Sequence, residues 1–192
     1  IVLYSGTSSD PAVHLRKASI TNSTFYKIER EAIKGQTFDS TLVLIDRCTF
    51  YDCGNVEAKS ILYFRNMEDV EVKNSIFANN HNPDAGEEFA DFASSVSLFH
   101  HNVAWDIVNI EVGSATVSDT LRADPQFADA SNGNFTIGNT TLLTFADDGG
   151  SVGDPRWVPE PTVIQIAAGT DVLSAAIASV EDGGTIELTT SG

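Results

Sequence analysis

Basic residues are scarce in this sequence. Eleven Lys and Arg stand against 27 Asp and Glu, for a formal net charge of -16. Such a surface repels a phosphate backbone, so nucleic acid is not an expected partner. Cysteine is scarcer still, with only Cys48 and Cys53. They form no CxxC pair, which argues against zinc, and two in this length make no disulfide framework. Both are expected as buried thiols. No apolar run approaches ~18 residues, so no membrane span is expected. The chain starts at Ile1 without a signal-peptide pattern, which reads as a processed product or part of a longer chain. The apolar share of 42% argues against disorder, and 192 residues suit one domain or one domain with an appendage.

What is there is a repeat. "ASITNSTFYKI", "VLIDRCTFYDC" and "VEVKNSIFANN" align on Phe25, Phe50 and Phe77. "VSLFHHNVAWD" is a weaker fourth copy, read with Val103 in the Phe position. Ile20, Ile45, Val72 and Leu98 form an apolar column, and Ser23, Cys48, Ser75 and Asn102 a small or polar one. Alternation at period two means strands. Further strand-like runs lie between the copies: "AVHL", "TLVLI", "SILYF" and "IVNIEV". Repeats of this length with no long helix point to a solenoid whose stacked turns bury one another's apolar faces. The fold class is therefore all-β, a parallel β-helix with a short capping α-helix near the C-terminus, and right-handed by the resemblance that follows.

"NSTF", "RCTF" and "NSIFANN", each after an alternating strand, resemble the coils of pectate-lyase-like right-handed β-helices. The stretch from Ala123 to Trp157, "ADPQF" through "GDPRW", resembles the segment that closes such helices in secreted bacterial proteins. Val163 to Gly192 resembles the segment that opens them. The resemblance implies the fold and an extracellular, secreted or cell-surface setting. It implies no catalytic residue here.

The chain thus divides into coils over 1–122, a terminating segment over 123–157, a Pro-stiffened linker over 158–161 and a strand-helix-strand module over 162–192. In the module, Thr170 or Asp171 caps a helix and Gly183 and Gly184 stop it. Val172, Leu173, Ala176, Ile177 and Val180 fall on one face, and Ile186 and Leu188 alternate in the following strand. A helix this short needs something to pack on. At the other terminus, Ile1, Val2, Leu3 and Tyr4 read as a strand with nothing upstream to cover it. With the terminator placed ~20–24 Å beyond the first coil, folding the module back on its own chain looks strained, since six residues reach at most ~20 Å. The expected function is therefore structural: a subunit of an extracellular filament or repeat adhesin. It would be a homo-oligomer, assembled head to tail by donating the module to the open coil of the next copy.

The alternative is a polysaccharide lyase or a carbohydrate-binding β-helix acting on acidic glycans. Elimination chemistry needs a basic side chain and a cation such as Ca²⁺. The bases on offer are Arg16, Lys17, Lys59, Arg65 and Lys73; the acidic groups are Asp84, Glu87, Glu88 and Asp91, or Asp147 and Asp148. None falls in a lyase motif, so no catalytic or metal residue is assigned, and no cofactor is expected beyond the Ca²⁺ that acidic loops invite. His100 and His101, adjacent on a strand, are expected on opposite faces. Tyr26 and Tyr51 follow the stacked phenylalanines and are expected to point outward, one coil apart, as a ladder on which a glycan would stack.

Overall fold

The computed structural model describes residues 1–4, 16–36, 41–54, 60–65, 67–80, 90–93, 96–107, 112–160, 163–167 and 185–189. The chain divides into two compact units, Ile1–Val158 and Pro159–Gly192. It is all-β, and every strand pairing is parallel. Helix among the described residues is limited to three short 3-10 turns, Ala130–Asn132, Thr140–Thr144 and Pro155–Trp157.

The first unit contains three sheets. One joins β1 (Val2–Tyr4), β4 (Ile33–Gln36), β7 (Leu62–Arg65) and β10 (Ala90–Ala93). The second joins β2 (Lys17–Thr21), β5 (Leu42–Asp46), β8 (Asp69–Lys73), β11 (Val96–His100) and β13 (Thr116–Ser118). The third joins β3 (Thr24–Tyr26), β6 (Thr49–Tyr51), β9 (Ile76–Ala78) and β12 (Val103–Trp105). The chain visits the three sheets in turn, four times, before adding β13 to the second. Of the strand-like runs expected between the copies, "SILYF" overlaps β7 of the first sheet, whereas "TLVLI" overlaps β5 of the second. "AVHL" lies outside the described residues, as does most of "IVNIEV".

Left-handed backbone makes the corners. Asn22, Arg47, Asn74, His101 and Asp119 follow the strands of the second sheet with φ of 51°, 51°, 50°, 50° and 44°. Lys27, Asp52, Asn79 and Asp106 follow those of the third at 53°, 56°, 50° and 55°. Asn, Asp and His tolerate this region better than most residues, which is why they recur at these corners. Two further asparagines staple successive circuits. Asn102 accepts from the Ser75 amide at 2.9 Å and donates to the Val72 carbonyl at 2.9 Å. Asn80 does the same with the Cys53 amide at 2.9 Å and the Phe50 carbonyl at 3.0 Å. Each satisfies a buried backbone donor at a corner, and its own amide group finds a carbonyl one circuit back.

Inside, Phe25, Phe50 and Phe77 stack with centroids 4.7 and 4.6 Å apart and planes within 4°. Those distances match the spacing of paired strands, ~4.8 Å. The fourth circuit departs from the expected columns by one residue. Phe99, not Leu98, pairs with Val72, and Ala104, not Val103, pairs with Phe77. Leu98 faces outward at 39% exposure. The reason is volume: where the third sheet narrows from Phe77 to Ala104, Phe99 enters from the second sheet and packs 5.6 Å from Phe77. Cys48 and Cys53 are buried free thiols, as expected, pushed up to about 12 and about 11 by burial.

The segment Ala123–Trp157 runs over the outer face of the third sheet as a strap. Leu121 bridges to Val103 in the fourth circuit, and Ile137, Leu142 and Val152 share one buried cluster with Ile76, Ala78 and Val103. Gly153 donates to the Asn74 carbonyl at 2.7 Å, and the Trp157 indole donates to the Thr24 hydroxyl of the first circuit at 2.7 Å. The strap therefore returns to the end where the circuits begin. This corrects the expected distance of ~20–24 Å between terminator and first coil, and with it the argument against closure within one chain.

In the second unit, β14 (Val163–Ala167) and β15 (Thr185–Thr189) pair from Val163↔Thr185 to Ala167↔Thr189, so Ile186 lies opposite Ile164 and Leu188 opposite Ile166. The expected capping helix, with Val172, Leu173, Ala176, Ile177 and Val180, lies outside the described residues.

Candidate functional site

At one end of the first unit, β1, β2 and β3 are the edge strands of their sheets, with no further strand beyond them among the described residues. β1 is fastened on its inner side: the Ile1 ammonium donates to Ala32 at 2.8 Å, and Lys34 donates to the Ile1 carbonyl at 2.9 Å. On its other side no strand pairs with it among the described residues, and Ile1 and Val2 are 55% and 73% exposed. The interior residues of this circuit, Leu3, Ile20, Phe25 and Ile28, are only partly buried. One circuit in, Ile45, Phe50 and Cys53 are fully buried. The difference follows position: among the described residues, no strand pairs beyond the first circuit. Tyr4 belongs to β1, and its side chain lies outside the described residues.

A polar row crosses the outer face of the second sheet. Pairing sets Asp46, Lys73 and His100 side by side on β5, β8 and β11. The strap reaches into this row. Asp147 takes an ion pair from Lys73 at 2.8 Å and a hydrogen bond from the Asn74 side chain at 2.8 Å, while Arg47 binds Asp148 at 2.7 Å. The hydrogen bond from Lys73, joined by that from Asn74, holds the Asp147 carboxyl down at about 2. Lys73 is raised in return, chiefly by its hydrogen bond to Asp147.

The two histidines depart from expectation. His101 turns into the left-handed region, so the strand alternation stops at His100 and both rings come to the same side. Their Nδ1 atoms lie 3.1 Å apart, and His100 Nε2 is 3.0 Å from Glu71. No group of three metal-ligating side chains occurs among the described residues.

Tyr26 and Tyr51 do point away from the interior, but the strap lies over them. Phe135 packs edge-on against Tyr26 at 5.3 Å and tilted against Tyr51 at 5.4 Å. The Tyr26 hydroxyl donates to the Ser131 carbonyl. The two rings are 6.1 Å apart and tilted by 48°, so they present no flat paired ladder to solvent. Burial, with Asp52 close by, raises the Tyr51 hydroxyl.

A family described as a domain of unknown function (DUF5123) matches residues 43–157, from β5 to the end of the strap. The chain belongs to the DUF5123 family. No curated protein and no solved structure matches it. In this DUF5123 chain the matched stretch closes at Trp157, one residue before the first compact unit ends.

The remaining basic and acidic groups of the DUF5123 chain are dispersed. Arg65 pairs with Asp91 at 2.8 Å and lies over the Tyr63 ring, as does Lys34. Arg16 and Lys17 are exposed at the open end. Lys59, Asp84, Glu87 and Glu88 lie outside the described residues. Among the described residues, no helix is long and apolar enough to cross a membrane. Sequence reasoning missed the strap contacts of Asp154, which is buried, accepts from Thr24 at 2.7 Å and caps the last 3-10 turn through the Arg156 amide at 3.1 Å. The "GDPRW" stretch carried the signal, an Asp before a Pro at the start of a turn.

Proposed function

We propose that this chain is a right-handed parallel β-helix and a structural subunit of an extracellular filament or repeat adhesin. The edge strands β1, β2 and β3 of one copy receive the strand-helix-strand module, residues 162–192, of the next. One observation carries the reading: three parallel sheets end together on an edge whose interior side chains are left half-covered. Parallel edges of this kind recruit further strands, main-chain hydrogen bonds supplying affinity and alternate side chains the fit. Fully burying an exposed large apolar side chain is worth about 1.5–3 kcal/mol, and Leu3, Ile20, Phe25 and Ile28, already partly buried, each stand to gain a share of that. A contact between unlike surfaces propagates unless it closes a ring.

The return of the strap supports a second arrangement. Because Trp157 sits on Thr24, the chain leaves its first unit beside the open edge, and six residues spanning up to ~20 Å separate Trp157 from Val163. The module of the same chain is then also within reach. The lyase alternative draws less support, since Lys73 and Arg65 are engaged by Asp147 and Asp91. Sedimentation of the full chain and of residues 1–158 separates the arrangements. Assembly by exchange gives a mass that rises with concentration and falls to monomer when 159–192 is removed. A full-length monomer at every concentration speaks against it.

A further inference from the structure

The third sheet ends, on the fourth circuit, in a cleft of about 260 Å³ between sheet and strap. From the sheet come Trp105, Asp106 and Asn79; from the strap come Asp124, Pro125 and Gln126. Trp105 is 42% exposed, and it is the one aromatic ring among the large apolar side chains left exposed in the described residues. Its strand neighbour is the small Ala78, and its carbonyl is held by the Asn79 amide at 3.1 Å. The strap side is equally fixed. Asp124 Oδ1 accepts from the Gln126 amide at 2.8 Å, Gln126 sits at φ 53°, and Gly138 packs so close that a Cβ there would lie 2.7 Å from the Gln126 carbonyl.

We propose that this cleft binds an uncharged glycan, one or two pyranose rings of a neutral polysaccharide resting on the Trp105 indole. An aromatic face suits the C–H face of a sugar ring, and the carboxylates of Asp106 and Asp124 with the amides of Asn79 and Gln126 suit its hydroxyls. Charge sets the class. The lining holds two carboxylates and no basic side chain, on a chain of net charge -16, so a uronate is repelled. The volume falls just below the ~300–1,000 Å³ of pockets that enclose drug-sized ligands, as suits a short stretch of chain passing over an open cleft. The site lies at the opposite end of the third sheet from β3, so it does not rest on the assembly reading.

Isothermal titration of the full chain with cellohexaose, xylohexaose, mannohexaose and hexagalacturonate tests the proposal. At least one neutral hexasaccharide is expected to bind, and Trp105→Ala to weaken it by tenfold or more, the scale of a central aromatic contact. Asp106→Gly, at an exposed corner with φ of 55° that glycine adopts freely, weakens the same ligand and guards against a Trp105 variant that misfolds; unfolding midpoints report on both. Failure of all three neutral probes to bind at about 10 mM, a preference for hexagalacturonate, or unchanged binding in both variants overturns the proposal.

Discussion

The indole of Trp157 donates to the hydroxyl of Thr24, 133 residues earlier, at 2.7 Å, and that hydroxyl donates in turn to the buried carboxylate of Asp154. The contact fixes the strap across all four circuits and determines where the chain leaves the first unit. Thr24→Val removes a donor from a buried carboxylate and an acceptor from an indole. We expect a loss of about 2–4 kcal/mol in urea denaturation, against less than about 1 kcal/mol for Thr21→Val on the exposed neighbouring strand.

The asparagine staples should behave alike because their geometry is alike. Asn102→Ala and Asn80→Ala each leave a buried backbone donor, the amide of Ser75 or Cys53, without its acceptor. Each is expected to cost about 2–4 kcal/mol. Asp at either position places a buried charge against the Val72 or Phe50 carbonyl and should cost more than Ala. Equal stability of the Asp and Asn proteins at neutral pH would contradict the role given to the amide.

Acid should loosen the strap. The hydrogen bond from Lys73 holds Asp147 at about 2, against an ordinary 3.8. Burial alone would raise Asp154, but hydrogen bonds from Arg156 and Thr24 outweigh it and hold that carboxyl low as well. A carboxylate with a lowered folded-state value stabilises fully above its unfolded value and loses that contribution as pH falls through the folded one. Stability should therefore drop between about pH 5 and pH 2. Asp147→Asn should flatten part of the drop, as measured by thermal melts across that range. Lys73, raised by the same pair, adds stability below its unfolded value that is lost only in strong alkali.

The strap lies close against the sheet at Gly153. Its φ is 80°, and a Cβ there would lie 2.7 Å from Ile76 Cδ1 and 3.0 Å from the Thr49 hydroxyl. Gly153→Ala combines a strained backbone with a clash inside a packed cluster and should destabilise by about 2–4 kcal/mol. Gly149, at the same φ with nothing within 4 Å of its Cβ, should tolerate Ala at a lower cost, from backbone strain alone. Equal costs at the two glycines, in parallel denaturation curves, would remove the packing part of the account.

Much of this architecture was legible because stacking repeats chemistry at fixed intervals. The Phe25, Phe50 and Phe77 column and the Ser23, Cys48, Ser75 and Asn102 column both mark real neighbours across strands. The fourth circuit misled because volume, not residue type, is conserved from layer to layer. Phe99 fills the space that Ala104 leaves, so the eye is drawn to Leu98 and Val103 one position early. The path of the strap was hidden for a different reason. Its contacts with Thr24, Asn74 and Tyr26 join residues 73 to 133 positions apart, and no local periodicity marks them. The histidine pair was misplaced because alternation was carried one residue past the corner at His101.

The central claim, that the first-circuit edge takes its covering strands from another copy, is tested most directly by cross-linking. Differently tagged chains carrying either Val2→Cys or Gln165→Cys are mixed and oxidised; the native thiols are buried and out of reach. The account predicts a disulfide between the two tagged chains, increasing with concentration and accompanied by higher oligomers. A disulfide that forms only when both cysteines are on one chain, in a particle that stays monomeric, would contradict it.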